Sequence, residues 1–309
     1  MNNKIYFITG PTAIGKSKFA INLSKCVNGE IINADSMQIY KELNIVSARP
    51  NYQDIKEAKH HLYGYVSGNQ RFNVEKWCSD AVRKINLLHN KSKTPIFVGG
   101  TGLYIDILIN GISSIPNIPE SIKENSEKLF NKIGSNNFYN LVDNLDHDAA
   151  KSISKNDTQR LKRIWEVQNY TKKKFSLWKK NENKKFLNAV DLKIILFLPD
   201  REKNYNRVNE RVLKMIKNGA IEEIKNLLSL KYKKNLPVMR AHGVPEISSY
   251  LGNSISLDEC IKKTQLVTRH YVKRQNTWWK SSKLPILKKF NEFPDEFDLK
   301  LSNLDHFLK

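Results

Sequence analysis

Residues 10–17 read Gly10-Pro11-Thr12-Ala13-Ile14-Gly15-Lys16-Ser17 and match the pattern G-x-x-x-x-G-K-[ST] in full. The mostly apolar stretch Lys4–Thr9 before them predicts a strand, and Lys16–Cys26 predicts a helix. In this strand–loop–helix setting, backbone N–H groups converge on phosphate oxygens and Lys16 adds a positive charge. The stretch therefore predicts a phosphate-binding loop of the nucleotide-binding (ATP-binding) type, in which Ser17 offers its hydroxyl to a phosphate-bound Mg²⁺.

Strands and helices alternate outward from this loop. Residues 30–35, 94–98 and 192–198 are short apolar runs that predict strands, whereas Val74–His89 and residues 101–109 predict helices. Strands that alternate with helices form a parallel sheet covered on both faces. We therefore expect an α/β fold, namely a P-loop NTPase-like parallel sheet with helices on both faces.

Residues 117–190 interrupt this alternation, because they are polar, have helical character and contain no convincing strand. They predict an α-helical insertion domain, and residues 1–116 with 191–309 form the predicted core. Residues 202–282 are again helical and end in a long helix over 256–280, while the tail after Leu287 supports no prediction.

The long helix has two chemically different sides at 100° per residue. One side carries a basic stripe made of Lys262, Arg269, Lys273 and Lys280. The opposite side, which we expect to face the core, carries Leu257, Cys260, Thr264, Val267, Tyr271 and Trp278. A basic stripe fits nucleic-acid contact, but a solvated helix face explains it equally well.

The net charge of +21 is the informative bulk property of the chain. Residues 118–190 hold 15 Lys and Arg against 9 Asp and Glu, and residues 201–289 hold 20 against 7. A Lys-rich genome would spread the excess more evenly along the chain. The concentration in the helical regions therefore favours a polyanion partner, with RNA or DNA phosphates as the leading candidate.

Other classes of protein are disfavoured. The three cysteines, Cys26, Cys78 and Cys260, form no C-x-x-C pair, which argues against a disulfide framework and a zinc site. The sequence has no apolar run long enough for a membrane span and no signal peptide, so we expect a cytoplasmic protein without a membrane partner.

Asp35 is the candidate catalytic carboxylate. A kinase or ATPase usually adds an apolar strand ending in Asp to hold Mg²⁺, but the strand at 94–98 runs into Gly99-Gly100-Thr101-Gly102. Ligands of parallel sheets bind at the carboxyl ends of the strands, so we expect Asp35, Lys16 and Thr101 to face one crevice. The alternative for Asp35 is a helix cap or turn residue.

Three further clusters of residues each allow a functional and a structural interpretation. His60-His61 has no ligand partner at suitable spacing, and we expect a structural role for it. Residues 156–163 combine a helix start at Asp157 with Arg160 and Arg163 on one face, which suits RNA contact or a solvated helix start. Arg207 and Arg211, one turn apart, suit either a phosphate clamp or salt bridges to Glu222 or Glu223.

The chain resembles the bacterial-type tRNA dimethylallyltransferases (tRNA isopentenyltransferases) of the IPP transferase family. The motifs that carry the resemblance occur in the family's order and span residues 10 to 278. They are Gly10–Ser17 (GPTAIGKS), residues 33–40 (NADSMQIY), 48–50 (ARP), 60–62 (HHL), 98–104 (VGGTGLY), 156–160 (NDTQR) and 273–278 (KRQNTW). One departure is Val244-Pro245, where many members have a tyrosine after the glycine.

The resemblance implies an enzyme that transfers a dimethylallyl group from dimethylallyl diphosphate to N6 of the adenine 3′-adjacent to the anticodon in tRNA. It implies Mg²⁺ as cofactor, held through the diphosphate and Ser17, and a tRNA anticodon stem-loop as partner of a monomeric protein. Asp35 would accept the N6 proton, with Thr101 beside it in the reaction channel. The diphosphate would be bound by Gly10, Pro11, Thr12, Ala13, Ile14, Gly15, Lys16, Ser17 and Arg211. The tRNA would be contacted by Asp35, Ser36, Met37, Gln38, Thr101, Lys123, Gln159, Arg160, Leu161, Lys162 and Arg163.

Three alternatives share the same loop. A small-molecule kinase would need the strand-end carboxylate that is missing after residues 94–98. An isopentenyltransferase acting on free adenine nucleotide would not need the basic helical regions. A non-catalytic RNA-binding protein would use the loop only as a phosphate site.

Overall fold

The computed structural model describes residues 3–180, 182–188 and 190–297. The chain divides into two compact units, one made of residues 1–109 and 186–309 and the other of residues 110–185. The second unit thus begins and ends several residues earlier than the insertion predicted at 117–190. No helix of the described residues is long and apolar enough to cross a membrane.

The described elements are numbered in chain order. The strands are β1 (Lys4–Thr9), β2 (Gly29–Asn33), β3 (His60–His61), β4 (Thr94–Gly99), β5 (Ile112–Ser113), β6 (Asn183–Lys184), β7 (Asp191–Phe197) and β8 (Ile286–Phe290). The helices are α1 (Lys16–Cys26), α2 (Tyr52–Glu57), α3 (Val74–His89), α4 (Gly102–Asn110), α5 (Glu120–Leu145), α6 (His147–Lys151), α7 (Thr158–Thr171), α8 (Phe175–Lys180), α9 (Arg201–Lys217), α10 (Ala220–Ser229), α11 (Val244–Leu251) and α12 (Leu257–Ser281). Pro237–Arg240 and Pro294–Glu296 form short 3₁₀ turns.

The first unit is built on a six-stranded sheet in the order β3-β2-β4-β1-β7-β8, with every neighbouring pair parallel. β1 lies between β4 and β7, and all of its residues after Lys4 are buried. The apolar runs therefore form the inner strands because both of their faces are covered. The α/β prediction with a P-loop NTPase-like parallel sheet is confirmed.

The edges of this sheet were not evident in the sequence. β3 contains only His60 and His61, and β8 lies in the tail that supported no prediction. β8 pairs with β7, and its Phe290 stacks on Phe197 with ring centroids 5.2 Å apart. The C-terminal segment therefore belongs to the core that surrounds the phosphate-binding loop.

The buried face of α12 differs from the predicted one. Its buried residues are Cys260, Thr264, Val272, Gln275 and Trp279, so the prediction is confirmed for Cys260 and Thr264 and wrong for Leu257, which is exposed. Val267, Tyr271 and Trp278 are half-buried. The buried stripe includes a glutamine, which an apolar pattern does not register. On the basic side, Arg269 is half-buried and donates to Asn209 Oδ1 at 2.7 Å, whereas Lys262, Lys273 and Lys280 are exposed.

The second unit consists of α5 to α8 and a two-stranded antiparallel ribbon of β5 and β6. The core of the unit is formed by Phe138, Val142, Ala149, Ala150, Leu161 and Ile164. α5 is kinked at Gly134, whose φ of 77° is left-handed. The ribbon corrects the expectation that residues 117–190 hold no strand, although β6 is only two residues long.

Candidate functional site

The phosphate-binding loop lies between β1 and α1, as its mechanism requires. Gly10 has a φ of 135°, and a Cβ there would overlap the carbonyl oxygen of Phe197. Gly15 has a φ of 89° and caps the N-terminus of α1 in the left-handed conformation. Both positions thus need glycine. The loop backbone and the unpaired N–H groups of the first turn of α1 together form an anion site.

Lys16 turns back over the loop, and its Nζ donates to the carbonyl oxygen of Pro11 at 2.5 Å. Burial lowers the pKa of Lys16 to about 7, because desolvation disfavours the ammonium. Asp35 acts in the opposite direction, and Arg211 lowers the pKa further. An anion bound in the loop would supply the negative charge that favours the protonated form.

Arg211, in the middle of α9, binds Thr12 of the loop. Its Nη1 donates to Thr12 Oγ1 at 2.8 Å. Burial lowers the pKa of this guanidinium while Asp35 raises it, and the group stays charged. Lys16 and Arg211 therefore place two positive charges beside the same backbone donors.

Arg207 does not join this pair, although the spacing of the two arginines suggested a common clamp. Its Nη1 donates to both carboxylate oxygens of Asp295, and its Nη2 donates to Glu296. The alternative partner Glu223 instead accepts the backbone N–H groups of residues 44, 45 and 46. The predicted two-arginine clamp thus reduces to Arg211.

Asp35 follows β2 and is held by a tight local network. The buried Asn33 accepts the N–H of Asp35 at 2.8 Å and donates to the carbonyl oxygens of Asp35 and Leu62. Oδ1 of Asp35 accepts the N–H groups of Met37 at 2.8 Å and Gln38 at 3.3 Å. The turn role considered for Asp35 is therefore real, and it fixes the carboxylate at the carboxyl end of the sheet.

Thr101 ties the Asp35 turn to the end of β4. The N–H of Ser36 donates to Thr101 Oγ1 at 3.2 Å. A Cβ on Gly99 would overlap the carbonyl oxygen of Ala34, so this strand end has no room for the carboxylate of a kinase-type site. The structure thus brings Asp35 and Lys16 into one cavity at the carboxyl ends of the strands, as expected, while Thr101 contacts the Asp35 turn without lining this cavity.

Gln275 was quoted within a motif but received no role from the sequence. Its side chain, only 4% exposed, accepts the N–H of Thr12 at 2.9 Å and donates to the carbonyl oxygen of Gly100 at 3.0 Å. A Cβ on Gly100 would overlap Gln275 Nε2, so the glycine permits the approach of α12. One amide group therefore connects the loop after β1 with the loop after β4.

Two cavities meet at this point. A cavity of 390 Å³ is lined by the loop residues 12–17, Asp35, Gly99, Gly100 and Arg211. The wall of a second cavity, of 160 Å³, contains an apolar cluster of Val46, Val208, Val212, Met215 and Ala241 beside polar residues that include Arg240 and His242. Thr12, Asp35, Arg211 and Met215 line both cavities. The arrangement suits a molecule with an anionic end and an apolar end, with Asp35 at the junction.

The second cavity also holds residues that sequence reasoning missed. Tyr271 faces Asp35. The pKa of its phenol is raised mainly by burial and to a lesser extent by the Asp35 carboxylate. The ring centroid of His242 lies 5.0 Å from that of Tyr271, and its Nε2 lies 3.4 Å from Nη2 of Arg274. Burial lowers the pKa of the His242 imidazole. His242 belongs to the segment that departs from the family pattern, and its position is set by α11 and α12, which no local pattern specifies.

The predicted RNA-contacting residues of the second unit divide into two groups. Asp157 caps α7, as predicted, by accepting the N–H of Arg160 at 3.2 Å. Gln159 and Arg160 are exposed, and Arg160 and Arg163 line the same small cavity. Lys123, on α5, is half-buried with its Nζ 3.1 Å from Glu120. These four side chains can be reached from solvent.

Leu161 and Lys162 form the other group, and the structure argues against direct RNA contact for both. Leu161 is fully buried, and Lys162 is 6% exposed with its Nζ 2.6 Å from Glu127. Leu161 and Lys162 lie on the face of α7 that packs against α5, so their side chains point into the core of the second unit. Fewer residues of the segment 159–163 are therefore accessible to RNA than the sequence predicted.

Two family models match the chain: IPP transferase over residues 38–282 and isopentenyl transferase over residues 3–65. A tRNA dimethylallyltransferase of Ehrlichia canis (strain Jake) is 44% identical over 90% of this chain and 92% of its own. A tRNA isopentenylpyrophosphate transferase from Bacillus halodurans is 27% identical, with a TM-score of 0.69 over 99% of this chain and 95% of its own. A eukaryotic dimethylallyltransferase, solved acting on tRNA, is 26% identical, with a TM-score of 0.80 over 98% of this chain and 78% of its own.

Proposed function

The chain belongs to the IPP transferase family, and on that premise we propose that it transfers a dimethylallyl group from dimethylallyl diphosphate to N6 of the adenine 3′-adjacent to the anticodon in tRNA. The family and the prenyltransferase class predicted from the motifs are confirmed by these matches. The observation that carries the proposed chemistry is the position of Asp35, which lines both the cavity of the phosphate-binding loop and the second cavity with its apolar cluster.

The donor diphosphate would occupy the loop between Gly10 and Ser17. Negative charge grows on this leaving group as the bond from its oxygen to C1 of the dimethylallyl group breaks. Backbone N–H groups, Lys16 and Arg211 lie where they would stabilise that charge, and such preorganised stabilisation is usually the largest part of catalysis. The apolar cluster in the wall of the second cavity, which Thr12 and Asp35 also line, would contact the dimethylallyl group.

Among the described residues, no group of three or more His, Cys, Asp and Glu side chains could hold a metal ion. The Asp35 carboxylate already accepts two backbone N–H groups through Oδ1. These contacts fit a Mg²⁺ ion held by the Ser17 hydroxyl and the diphosphate oxygens rather than by a protein cage, as Mg²⁺ commonly is with phosphates. When bound, the ion would neutralise leaving-group charge.

The acceptor adenine would approach Asp35 along residues 35–38, which line the site where the two cavities meet. The N6–C1 bond forms while the C1–O bond breaks, the diphosphate leaves with the bonding electron pair, and N6 gives one proton to the Asp35 carboxylate. The N–H groups of Met37 and Gln38 hold that carboxylate in one orientation, and Asn33 holds the backbone of Asp35. An adenine edge is accessible only outside the base stack, so the base must be flipped out to reach residues 35–38.

The tRNA would be bound by the second unit, which carries an excess of basic residues. The residues that we expect to contact it are Gln159, Arg160, Arg163 and Lys123. The anticodon stem-loop, the monomeric state and the cytoplasmic location remain predictions from the sequence and the family resemblance.

The proposed function is tested with labelled dimethylallyl diphosphate, Mg²⁺ and an adenine-containing anticodon stem-loop. We expect label on the RNA and release of diphosphate. Label on AMP instead of RNA would indicate an enzyme for free nucleotides, and turnover of ATP would indicate a kinase. RNA binding without label transfer would indicate a non-catalytic RNA-binding protein, and each of these results would refute the proposal.

A further inference from the structure

The Asp295 side chain lies directly against the phosphate-binding loop. A Cβ built on Gly15 would stand 2.6 Å from both Cβ and Oδ1 of Asp295, so the carboxyl group fills the space that a side chain at Gly15 would take. Asp295 lines neither of the two cavities, and it therefore contacts the loop from outside the substrate space. A glycine has no side chain by which its neighbours can hold it, and here a residue from the C-terminal segment supplies the contact.

Asp295 is itself held in place on two sides. Arg207 Nη1 donates to its two carboxylate oxygens at 2.7 and 2.8 Å. The Arg207 guanidinium lies 3.7 Å from the ring centroid of Phe293, which is 5% exposed and belongs to the core cluster around the loop. Phe297 packs edge-on against Phe19 of α1. The short 3₁₀ turn that carries Asp295 is thus fixed to the sheet and to the helix that follows the loop.

Helix α9 consequently contacts the loop at two points. Arg211 binds Thr12 in the first half of the loop, inside the cavities. Arg207, one turn earlier on the same helix, reaches Gly15 in the second half through Asp295. Residues four apart lie on one face of a helix, so a single rigid element positions both halves of the loop.

We propose that Arg207 and Asp295 are positioning residues that hold the Gly15 turn in the conformation that binds the donor diphosphate. The inference rests on the proposed role of the loop as the diphosphate site. The loop has positive φ values at Gly10, Ala13 and Gly15, a conformation that a free chain rarely maintains. Holding it before the donor arrives removes an ordering cost from binding.

The contact acts through packing rather than through charge. The charged groups that shift the pKa of Lys16 are Asp35 and Arg211. The charge of Asp295 is matched by Arg207, with which it forms a two-oxygen contact. Removal of Asp295 should therefore affect how well the loop binds the donor and leave the binding of RNA unchanged.

The test measures kcat and the donor KM of Asp295→Ala in the full-length protein, together with RNA affinity and the midpoint of thermal unfolding. We expect the donor KM to rise about tenfold, with RNA affinity unchanged. Glu296→Ala is the matched control, because Glu296 binds the same guanidinium through Nη2 and should leave the donor KM close to that of the unchanged protein. Asp295→Asn, which fills the same space, should recover most of the affinity.

The variant Arg207→Lys gives a second measurement, because a lysine has no planar guanidinium to lie over the Phe293 ring while it binds Asp295. Its donor KM should rise, and combining it with Asp295→Ala should add little. If Asp295→Ala does not fold, the donor KM values of Asp295→Asn and Arg207→Lys test the inference instead. The donor KM of Arg207→Lys should then be clearly higher than that of Asp295→Asn. An unchanged donor KM in Asp295→Ala or Arg207→Lys, or an equal rise in Glu296→Ala, would overturn the inference. Absence of transfer by the unchanged protein would instead refute the proposed function.

Discussion

Gln275 of α12 accepts a hydrogen bond from the backbone N–H of Thr12 at 2.9 Å. The same side chain donates to the carbonyl oxygen of Gly100 at 3.0 Å, so it joins the loops that follow two neighbouring strands, β1 and β4. The two loops hold the proposed donor site and the Thr101 contact to the Asp35 turn. Their relative position thus depends on one buried amide from a distant part of the sequence.

Gln275→Ala should weaken donor binding and stability together. It leaves a backbone N–H and a carbonyl group without their buried partner, which costs about 1–3 kcal/mol for an unsatisfied group. We expect kcat/KM for the donor to fall about tenfold to a hundredfold. Steady-state kinetics and denaturant unfolding measure both effects. Gln265→Ala removes a glutamine of the same helix that donates to Asn209, and should leave the donor kinetics unchanged. Equal kinetics for the two variants would contradict the assigned role.

Glu223 holds residues 44–46, part of which lines the larger cavity. Its carboxylate accepts the N–H groups of Asn44, Ile45 and Val46 at 2.8, 2.7 and 2.9 Å. Glu223→Gln should lower the free energy of unfolding by about 2 kcal/mol, because an amide has only one accepting oxygen. The neighbouring Glu222→Gln removes an exposed charge and should have little effect. Denaturant titration of the two variants compares them, and a matched loss of stability would refute the anchoring role.

Donor affinity should fall as the pH rises through about 7. Burial lowers the pKa of Lys16 to about 7 in the free protein, so its positive charge is present below that pH and is lost above it. Bound diphosphate favours the ammonium, so binding should take up a proton in this range. Calorimetry of donor binding between about pH 6 and pH 9, in buffers of different ionisation enthalpy, measures the uptake. Lys16→Arg stays charged and should flatten the profile; the same slope in both proteins would contradict this account.

Arg160→Ala should weaken binding of the stem-loop without changing the donor KM. If its guanidinium contacts one phosphate, the slope of log affinity against log salt should fall by about 1. Fluorescence anisotropy at several salt concentrations measures this slope. Lys128→Ala removes an exposed positive charge from α5 and serves as the control. No difference between the two variants would show that Arg160 lies outside the RNA interface.

Several parts of the fold could be predicted because they depend on local sequence. β1 and α1 begin and end where the pattern placed them, since an apolar strand, a glycine loop and an amphipathic helix each leave a local signal. Residues 30–35 were predicted as a strand, but β2 ends at Asn33, where the chain turns into the Asp35 network. Asn33, the polar residue at the end of this strand, was the feature of the sequence that indicated the turn.

The remaining features depend on contacts between distant residues. β8 becomes a strand because β7 offers it an edge, and its own sequence, Ile-Leu-Lys-Lys-Phe, is too short and too irregular to predict this. Arg207 has acidic residues near it in sequence, yet it pairs with Asp295 near the end of the described chain. Gln275 lies in a motif, but its two partners follow β1 and β4. Spacing alone could not assign these roles.

The Asp35 carboxylate is proposed to accept the N6 proton where the two cavities meet. The most direct measurement is the single-turnover rate of dimethylallyl transfer to the stem-loop by Asp35→Asn, with donor and RNA saturating. The amide keeps the acceptor oxygen for Met37 and Gln38 but cannot take a proton. We expect a rate about 10²–10⁴-fold lower, with donor and RNA affinities unchanged. A rate equal to that of the unchanged protein would contradict it.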